Sequence, residues 1–251
     1  MNTVSFSITR VNRLRRAAVK ARTLPDERLD DPWPDLIRPD GWATSSYDAN
    51  DLIGVFDTLR LRAGFALHAY EFRSGSNGNG IIWAVPAGAP LLAPSDCHRL
   101  EEYALAPPKP PGAVPLTQAI EGDGSPWSYL SASILSREAA EFGAIWHGCS
   151  WSDQTILSKA PRQAGDPDVP EDAWELTDDA PIGNWTWHGA VPGVWKPTYA
   201  ERGTTKEVVL HIHNPIGGEE VYRATDTYTA GSYDGETETT VLCRSDRRIV
   251  Y

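Results

Sequence analysis

The C-terminal part of the chain constrains the possible folds most strongly, because it alternates apolar runs with glycine turns. An apolar run over 208–215 precedes Gly217 and Gly218, and a polar, aromatic stretch then leads through Gly235 to the segment 236–242, which ends in the apolar pair Val241 and Leu242. Short apolar runs that are bounded by turn residues are typical of strands. From Asn184 onward, the sequence therefore predicts strands that are separated by turns.

Upstream of these strands, the pattern mixes helical and extended segments. An amphipathic helix is predicted where four apolar residues follow the i, i+3, i+4, i+7 spacing: Leu52, Val55, Phe56 and Leu59. Asp48 or Asn50 would cap this helix, and Gly64 would end it. Strands are predicted over 65–72 and 81–85, and the stretch of Gly, Ser and Asn between them is predicted to be a loop.

A second helix is predicted to begin at Pro126, because proline fits the first helical turn, and to close at Gly143. A short strand over 144–146 would follow it. The acidic, proline-containing segment over 161–183 is predicted to be a long loop, of the kind that usually carries function or moves.

A proline-rich break over 107–115 is the candidate domain boundary. It would separate an N-terminal region over 1–115, with a basic arm, a helix and a hairpin, from a compact, strand-rich domain over 116–251. Helices and strands that mix in this way predict the α+β fold class.

The composition limits the classes of function. The formal net charge of −11 at pH 7 argues against nonspecific binding of nucleic acid, because such binding needs a basic surface. The first 22 residues are basic, either as a solvated helix face or as a docking arm for an acidic partner. No apolar run approaches the roughly 20 residues of a membrane span, and no apolar segment follows the basic start as it would in a secretory signal.

Cysteines and histidines give little support to a metal site. The cysteines are odd in number and widely spaced, which fits a reducing cytoplasm and no disulfide framework: Cys97, Cys149 and Cys243. His211 and His213 share one face of a strand, a spacing that can bind zinc, but no third ligand has a suitable spacing. No metal is therefore expected.

Tryptophan is abundant, with ten residues in the chain. Six of them fall close together in the sequence: Trp146, Trp151, Trp174, Trp185, Trp187 and Trp195. Such clustering indicates either an aromatic-lined groove or a core that is built from indoles.

Glu236 and Glu238 alternate along a predicted strand, so their side chains share a face. One interpretation is a solvated edge strand, whose charges prevent aggregation. The other is a catalytic pair, because a rigid carboxylate stabilises the cationic sugar that forms when a glycosidic bond breaks.

The order of the C-terminal motifs resembles the second half of the mono-ADP-ribosyltransferase fold. Over about 195–250, an apolar strand ends in Asn-Pro, a Gly-Gly turn and a loop follow, and Glu-x-Glu leads into a short strand. The resemblance implies that NAD is the substrate, that Glu238 is the catalytic glutamate and that Glu236 helps to select the acceptor. It also implies a split antiparallel β-sandwich.

Residues 144–151 extend this resemblance upstream, so that it covers about 144–250 in all. Their Trp-His-Gly triplet is similar to the first NAD-binding strand of the poly(ADP-ribose) polymerase and diphtheria-toxin branch. By that resemblance, His147 would bond the ribose hydroxyls and the backbone of Gly148 would bond the nicotinamide amide, with Trp151 nearby.

Three further features leave open which residues would contact NAD under the same resemblance. Thr198 or Tyr199 would flank the nicotinamide riboside from the middle of the fold. A second Trp-His-Gly triplet stands at 187–189, and Arg73 would replace His147 if the first strand were of the arginine type.

Two classes of function follow from the sequence. The first is an enzyme that transfers ADP-ribose from NAD to a protein or nucleic-acid acceptor, or that hydrolyses NAD, a chemistry that suits a toxin or defence effector. The second is a non-catalytic interaction or carbohydrate-binding protein with a Trp-rich surface. A glycoside hydrolase that uses the paired carboxylates is a further enzymatic alternative.

Overall fold

A computed structural model describes residues 2–23, 41–75, 77–99, 106–145, 149–166 and 180–249. The chain divides into two compact units. The sheet unit contains the described residues of 2–13, 153–230 and 235–249, and the hairpin unit contains those of 14–152 and 231–234. The boundary that the sequence suggests after residue 115 falls inside the hairpin unit.

Strands outnumber helices in the described residues. The helices are α1 (Ile8–Arg22), α2 (Asn50–Ile53) and α3 (Pro126–Ala140). The strands are β1 (Asn2–Ser5), β2 (Gly41–Thr44), β3 (Leu59–Leu61), β4 (Phe65–Ser74), β5 (Asn77–Pro86), β6 (His98–Arg99), β7 (Pro108–Lys109), β8 (Val114–Pro115), β9 (Ile120–Gly122), β10 (Thr155–Ile156), β11 (Arg162–Gln163), β12 (Ile182–Gly183), β13 (Trp185–Trp187), β14 (Thr198–Arg202), β15 (Thr205–Asn214), β16 (Gly217–Thr229) and β17 (Glu236–Ile249). The strands pair almost entirely antiparallel, which confirms a sheet-rich α+β fold.

The two strands predicted over 65–72 and 81–85 are confirmed as the antiparallel hairpin of β4 and β5. The predicted loop between them is wrong in length, because β5 already begins at Asn77. Gly75 lies in the turn with a φ of 56°, whereas Gly78 serves packing, because a Cβ there would collide with Nη1 of Arg73 and lie 2.9 Å from the carbonyl oxygen of Gly143.

The helix predicted from Leu52 to Leu59 is wrong in extent, since α2 is a single turn. The chain leaves the helix at Gly54, and Leu59 enters β3, where it pairs with Gly122. Leu52 and Phe56 are nevertheless buried, so the apolar spacing identified core positions correctly. Gly64 lies in the turn before β4 and ends no helix.

The second predicted helix is confirmed as α3. Ser125 caps its start by accepting a hydrogen bond from the backbone N–H of Ser128 at 3.2 Å, and Pro126 occupies the first turn. The helix ends at Ala140, and Gly143 follows it with a φ of 66°. Of the strand predicted after it, Ile145 forms an isolated bridge with Gly78, and residue 146 lies outside the described residues.

The sheet unit is built on a seven-stranded sheet, which confirms the strands that were predicted after Asn184. The strand order is β1-β14-β15-β16-β17-β13, and β10 pairs with the far end of β15. The predicted long loop contains β11 and β12, which pair in parallel, while its stretch over 167–179 lies outside the described residues. Among the described residues, no helix is long and apolar enough to cross a membrane.

Candidate functional site

One face of the seven-stranded sheet carries both carboxylates of the Glu-x-Glu motif. Residues that pair directly across antiparallel strands point to the same face. Two rows of such residues cross five strands: Ser5–Thr198–Val209–Thr225–Glu238 and Thr3–Ala200–Glu207–Thr227–Glu236. All ten residues are exposed or half-buried, and we call them the open face.

The carboxylates of the open face differ in whether they are paired. Glu236 and Glu238 are exposed and have no ion-pair or hydrogen-bond partner among the described residues. Glu207 pairs with Arg202, whose Nε lies 3.2 Å from Oε2 of the glutamate. The unneutralised negative charge of this face therefore lies on β17, where two residue steps separate the carboxylates by roughly 7 Å.

The connection from β13 to β14, residues 188–197, forms a strap across the same sheet face. It starts beside β17, where the N–H of His188 donates to the carbonyl of Leu242 at 2.9 Å. Its Trp195 packs against His211 of β15, with ring centroids 4.8 Å apart. His211 follows Val209 by two residues and shares its face, so the strap separates the open face from a covered end of the sheet.

The covered end is an apolar cluster of buried residues: Leu157, Trp185, Trp195, Val221 and Cys243. Burial raises the pKa of the Cys243 thiol to about 12, so this cysteine is an uncharged packing residue at neutral pH. On its outer side, the strap exposes Val191 and Val194, which are 52% and 56% accessible.

Two histidines point into the covered end. Burial lowers the pKa of His211, and the charge of Arg223 adds to this effect, although the hydrogen bond from Nδ1 of His211 to the carbonyl of Trp195 opposes it. His213 donates from Nε2 to Oε1 of Glu219 at 2.9 Å. Within the described residues, no group of three His, Cys, Asp or Glu side chains is arranged to hold a metal ion.

Glu219 is buried beside His213, and its charge is stabilised by neighbours. Burial by itself would raise its pKa, but the His213 ring, the Ser245 hydroxyl and the charge of Arg247 together lower it. Nδ1 of His213 and Nε1 of Trp185 are also buried, without a hydrogen-bond partner among the described residues. These groups belong to the interior of the sheet unit rather than to its solvent-facing surface.

Thr198 and Tyr199, the residues predicted to flank the nicotinamide riboside, point to opposite faces of the sheet. Thr198 stands in the row of Glu238 on the open face, three strand spacings or about 14 Å away. Tyr199 is on the other face, in the row of Val208 and Asp226, and is 3% exposed. Of this pair, only Thr198 therefore shares a surface with the carboxylates.

Trp151, the predicted cofactor contact, belongs to the hairpin unit and is 5% exposed. Its indole Nε1–H donates to Oε1 of Glu138 at 2.8 Å, and the guanidinium carbon of Arg15 lies 3.9 Å from its ring centroid. The polar atom and one ring face of this tryptophan are thus occupied by the protein itself.

Around Trp151, buried charges tie α1 and α3 to the loop over 149–152. Arg22 of α1 places Nε 2.8 Å from Oε2 of Glu138 and Nη2 2.8 Å from Oε2 of Glu141. The backbone N–H groups of the loop also donate to the carboxylate of Glu141. We call this network the clamp, and it consists of Arg22, Glu138, Glu141, Trp151 and Ser152.

Arg73, the alternative NAD contact, holds the end of the β4–β5 hairpin. Its Nη1 donates to the carbonyl oxygens of Phe72 and Gly143 at 3.0 and 2.9 Å, and its Nη2 lies 3.5 Å from Oε2 of Glu71. These contacts give the arginine a structural role within the hairpin unit.

The remaining predicted contacts are His147 and Gly148, and both lie outside the described residues. Sequence reasoning missed Glu138, Glu141 and Glu219. Glu138 lies in the last turn of α3 and Glu141 follows the end of the helix, and both are buried, so each carboxylate requires a cationic partner. The arginines of the N-terminal run were the available signal.

Most described tryptophans belong to the interior. Five of them are buried: Trp83, Trp127, Trp151, Trp185 and Trp195. Trp42 and Trp187 are half-buried. Of the two interpretations of the tryptophan clustering, these positions favour a core that is built from indoles.

Comparisons of the chain with protein-family models, with curated proteins and with solved structures find no match.

Proposed function

We propose that the chain is a recognition protein whose open face contacts a partner macromolecule without catalysing a reaction. One observation carries this: Glu236 and Glu238 stand unpaired on a rigid strand, at the end of two rows that cross five strands. The threonines and serine of these rows offer short hydroxyl groups that bond a partner at little cost in side-chain entropy. The exposed Val191 and Val194 of the strap supply apolar contacts on the same unit.

Exposure of the carboxylates favours recognition over catalysis. A carboxylate stabilises a developing cation strongly only where water is excluded, because the interaction of two charges falls as the dielectric constant rises. Glu236 and Glu238 are exposed, so they stand in water unless a partner covers them. Surface carboxylates still contribute to the rate and specificity of association.

Site-specific photo-cross-linking in lysate of the source cell tests this function. A photoreactive amino acid at Thr225, in the centre of the open face, should give a discrete adduct. The same group at Ser136, an exposed position of α3, should not. The Glu236→Lys/Glu238→Lys variant should lose the adduct, and equal labelling from both positions would contradict the proposal.

A second candidate is the transfer of ADP-ribose from NAD to a protein or nucleic-acid acceptor, on the split β-sandwich that the resemblance implies. It is favoured by the position of Thr198, which shares both a face and a row with Glu238. Glu238 would stabilise the oxocarbenium-like ribose once bound NAD or an acceptor excluded water, and Glu236 would orient the acceptor.

Release of nicotinamide from NAD, with and without lysate, tests the second candidate. Glu238→Gln should abolish release, whereas Glu121→Gln, which changes a glutamate of β9 in the hairpin unit, should not. Release that requires lysate indicates a transferase, and release without lysate indicates a glycohydrolase. Undiminished release by Glu238→Gln would eliminate this candidate.

A further inference from the structure

The outer edge of β17 is open along the same residues that carry the carboxylates. Residues 236–241 pair with β16 on one side, whereas β13 pairs only with Cys243, Arg244 and Ser245 on the other. Among the described residues, no strand covers the outer edge over 236–241, and residues 236–239 are exposed. A free edge of this kind presents unpaired backbone N–H and C=O groups, which can add a further strand.

The free edge has a defined length. It begins with β17 at Glu236 and is closed after residue 241 by the N–H of His188, which donates to the carbonyl of Leu242. A strand of six residues spans about 20 Å, so the edge accommodates a short extended segment rather than a whole sheet.

The charges of the edge select its occupant. Natural edge strands are often guarded by lysine or proline, but this one presents carboxylates to the open face at alternate positions, Glu236 and Glu238. A second copy of the same edge would bring carboxylates close together, which is unfavourable. Arg223 pairs with Thr240 and shares the face of Glu238, but it belongs to β16 on the inner side of β17 and leaves the outer edge unoccupied.

We propose that the free edge of β17 binds an extended, basic polypeptide segment by strand addition. Side chains on one face of the added strand would lie about 5 Å from their neighbours on β17. Lysine or arginine at alternate positions would thus pair with Glu236 and Glu238. The intervening residues would face Thr237 and Thr239 on the opposite side, where small or β-branched side chains fit. This inference rests on the proposed recognition function and names the partner of that surface.

Fluorescence anisotropy with three labelled peptides tests the inference. The peptides are Lys-Thr-Lys-Val-Lys-Thr, its counterpart with glutamate in place of lysine, and the basic peptide with alternate amides N-methylated. The basic peptide should bind, and the acidic peptide should not. N-methylation should weaken binding at least about tenfold if the main chain forms ladder hydrogen bonds.

Variants locate the binding site. Glu236→Gln/Glu238→Gln should weaken binding of the basic peptide by about three- to tenfold, because it removes two exposed ion pairs that each contribute modestly. Glu121→Gln should leave it unchanged, with circular dichroism confirming that all variants fold.

Each contrary outcome has a distinct meaning. Equal binding of the N-methylated peptide would show charge attraction without strand addition, and equal binding of the acidic peptide would overturn the charge selection. If no peptide binds while Thr225 still cross-links a partner, strand addition is wrong and the recognition function stands. If neither occurs, both fail.

Discussion

The clamp of the hairpin unit and the edge of the sheet unit both contain two closely spaced glutamates, but they use them in opposite ways. Glu138 and Glu141 are 0% and 3% exposed, and Arg22 bonds both. Glu236 and Glu238 are exposed and lack partners among the described residues. Buried carboxylates that are fully paired fix local structure, whereas unpaired carboxylates on a surface leave their charge available to another molecule.

Removal of the shared cation of the clamp should give the largest loss of stability. Arg22→Met leaves Glu138 and Glu141 buried without their main partner, and breaking a buried pair in this way costs about 3–5 kcal/mol. The measurement is the free energy of unfolding from urea titrations. Arg16→Met, at an exposed position of the same helix, should change it by no more than about 0.5 kcal/mol. Equal effects of the two substitutions would show that the clamp does not stabilise the fold.

A methyl group on Gly78 should give the next largest effect. Its Cβ would meet Arg73 and the carbonyl oxygen of Gly143, and such overpacking costs about 1–3 kcal/mol. Gly218→Ala is the matched control, because nothing lies within 4 Å of the added Cβ. Urea titrations that gave both variants the stability of the wild type would contradict the close packing at the end of the hairpin.

Glu219 should make part of the stability dependent on pH. Its neighbours lower its folded-state pKa, so its stabilising contribution is present above the ordinary pKa of a glutamate, about 4.3. The contribution is lost as the pH falls through the folded-state value. The free energy of unfolding should therefore drop less steeply in acid for Glu219→Gln than for the wild type, with Glu220→Gln as control. Parallel curves would show that Glu219 carries no such linkage.

Neutralisation of the edge carboxylates should have the smallest effect on the fold. Glu236→Gln/Glu238→Gln should change the free energy of unfolding by no more than about 0.5 kcal/mol, because exposed residues without partners contribute little. A loss of unfolding free energy as large as that of Arg22→Met would mean that these carboxylates stabilise the fold and are not free to bind a partner.

The sequence predicted the regular elements better than it predicted their contacts. The strands after Asn184 and the helix from Pro126 follow from local apolar pattern and capping, and both are confirmed. The helix over 52–59 was wrong because the same apolar spacing is also satisfied by one helical turn followed by a strand.

Candidate site residues were harder to predict, because their environment depends on pairing across the chain. Alternation correctly placed Glu236 and Glu238 on one face, but only the register shows that Thr198 shares the row of Glu238 and that Tyr199 points to the other face. The buried partners of Trp151 come from α1 and α3, which no local pattern connects.

Hydrogen exchange along β17, with and without the basic peptide, would show whether the free edge adds a strand. Saturating peptide should slow exchange of edge amides within 236–241 and leave Cys243, Arg244 and Ser245 unchanged, since β13 already pairs with them. The Glu236→Gln/Glu238→Gln variant should show weaker protection at the same peptide concentration. Exchange over 236–241 that is identical with and without bound peptide would contradict strand addition at this edge.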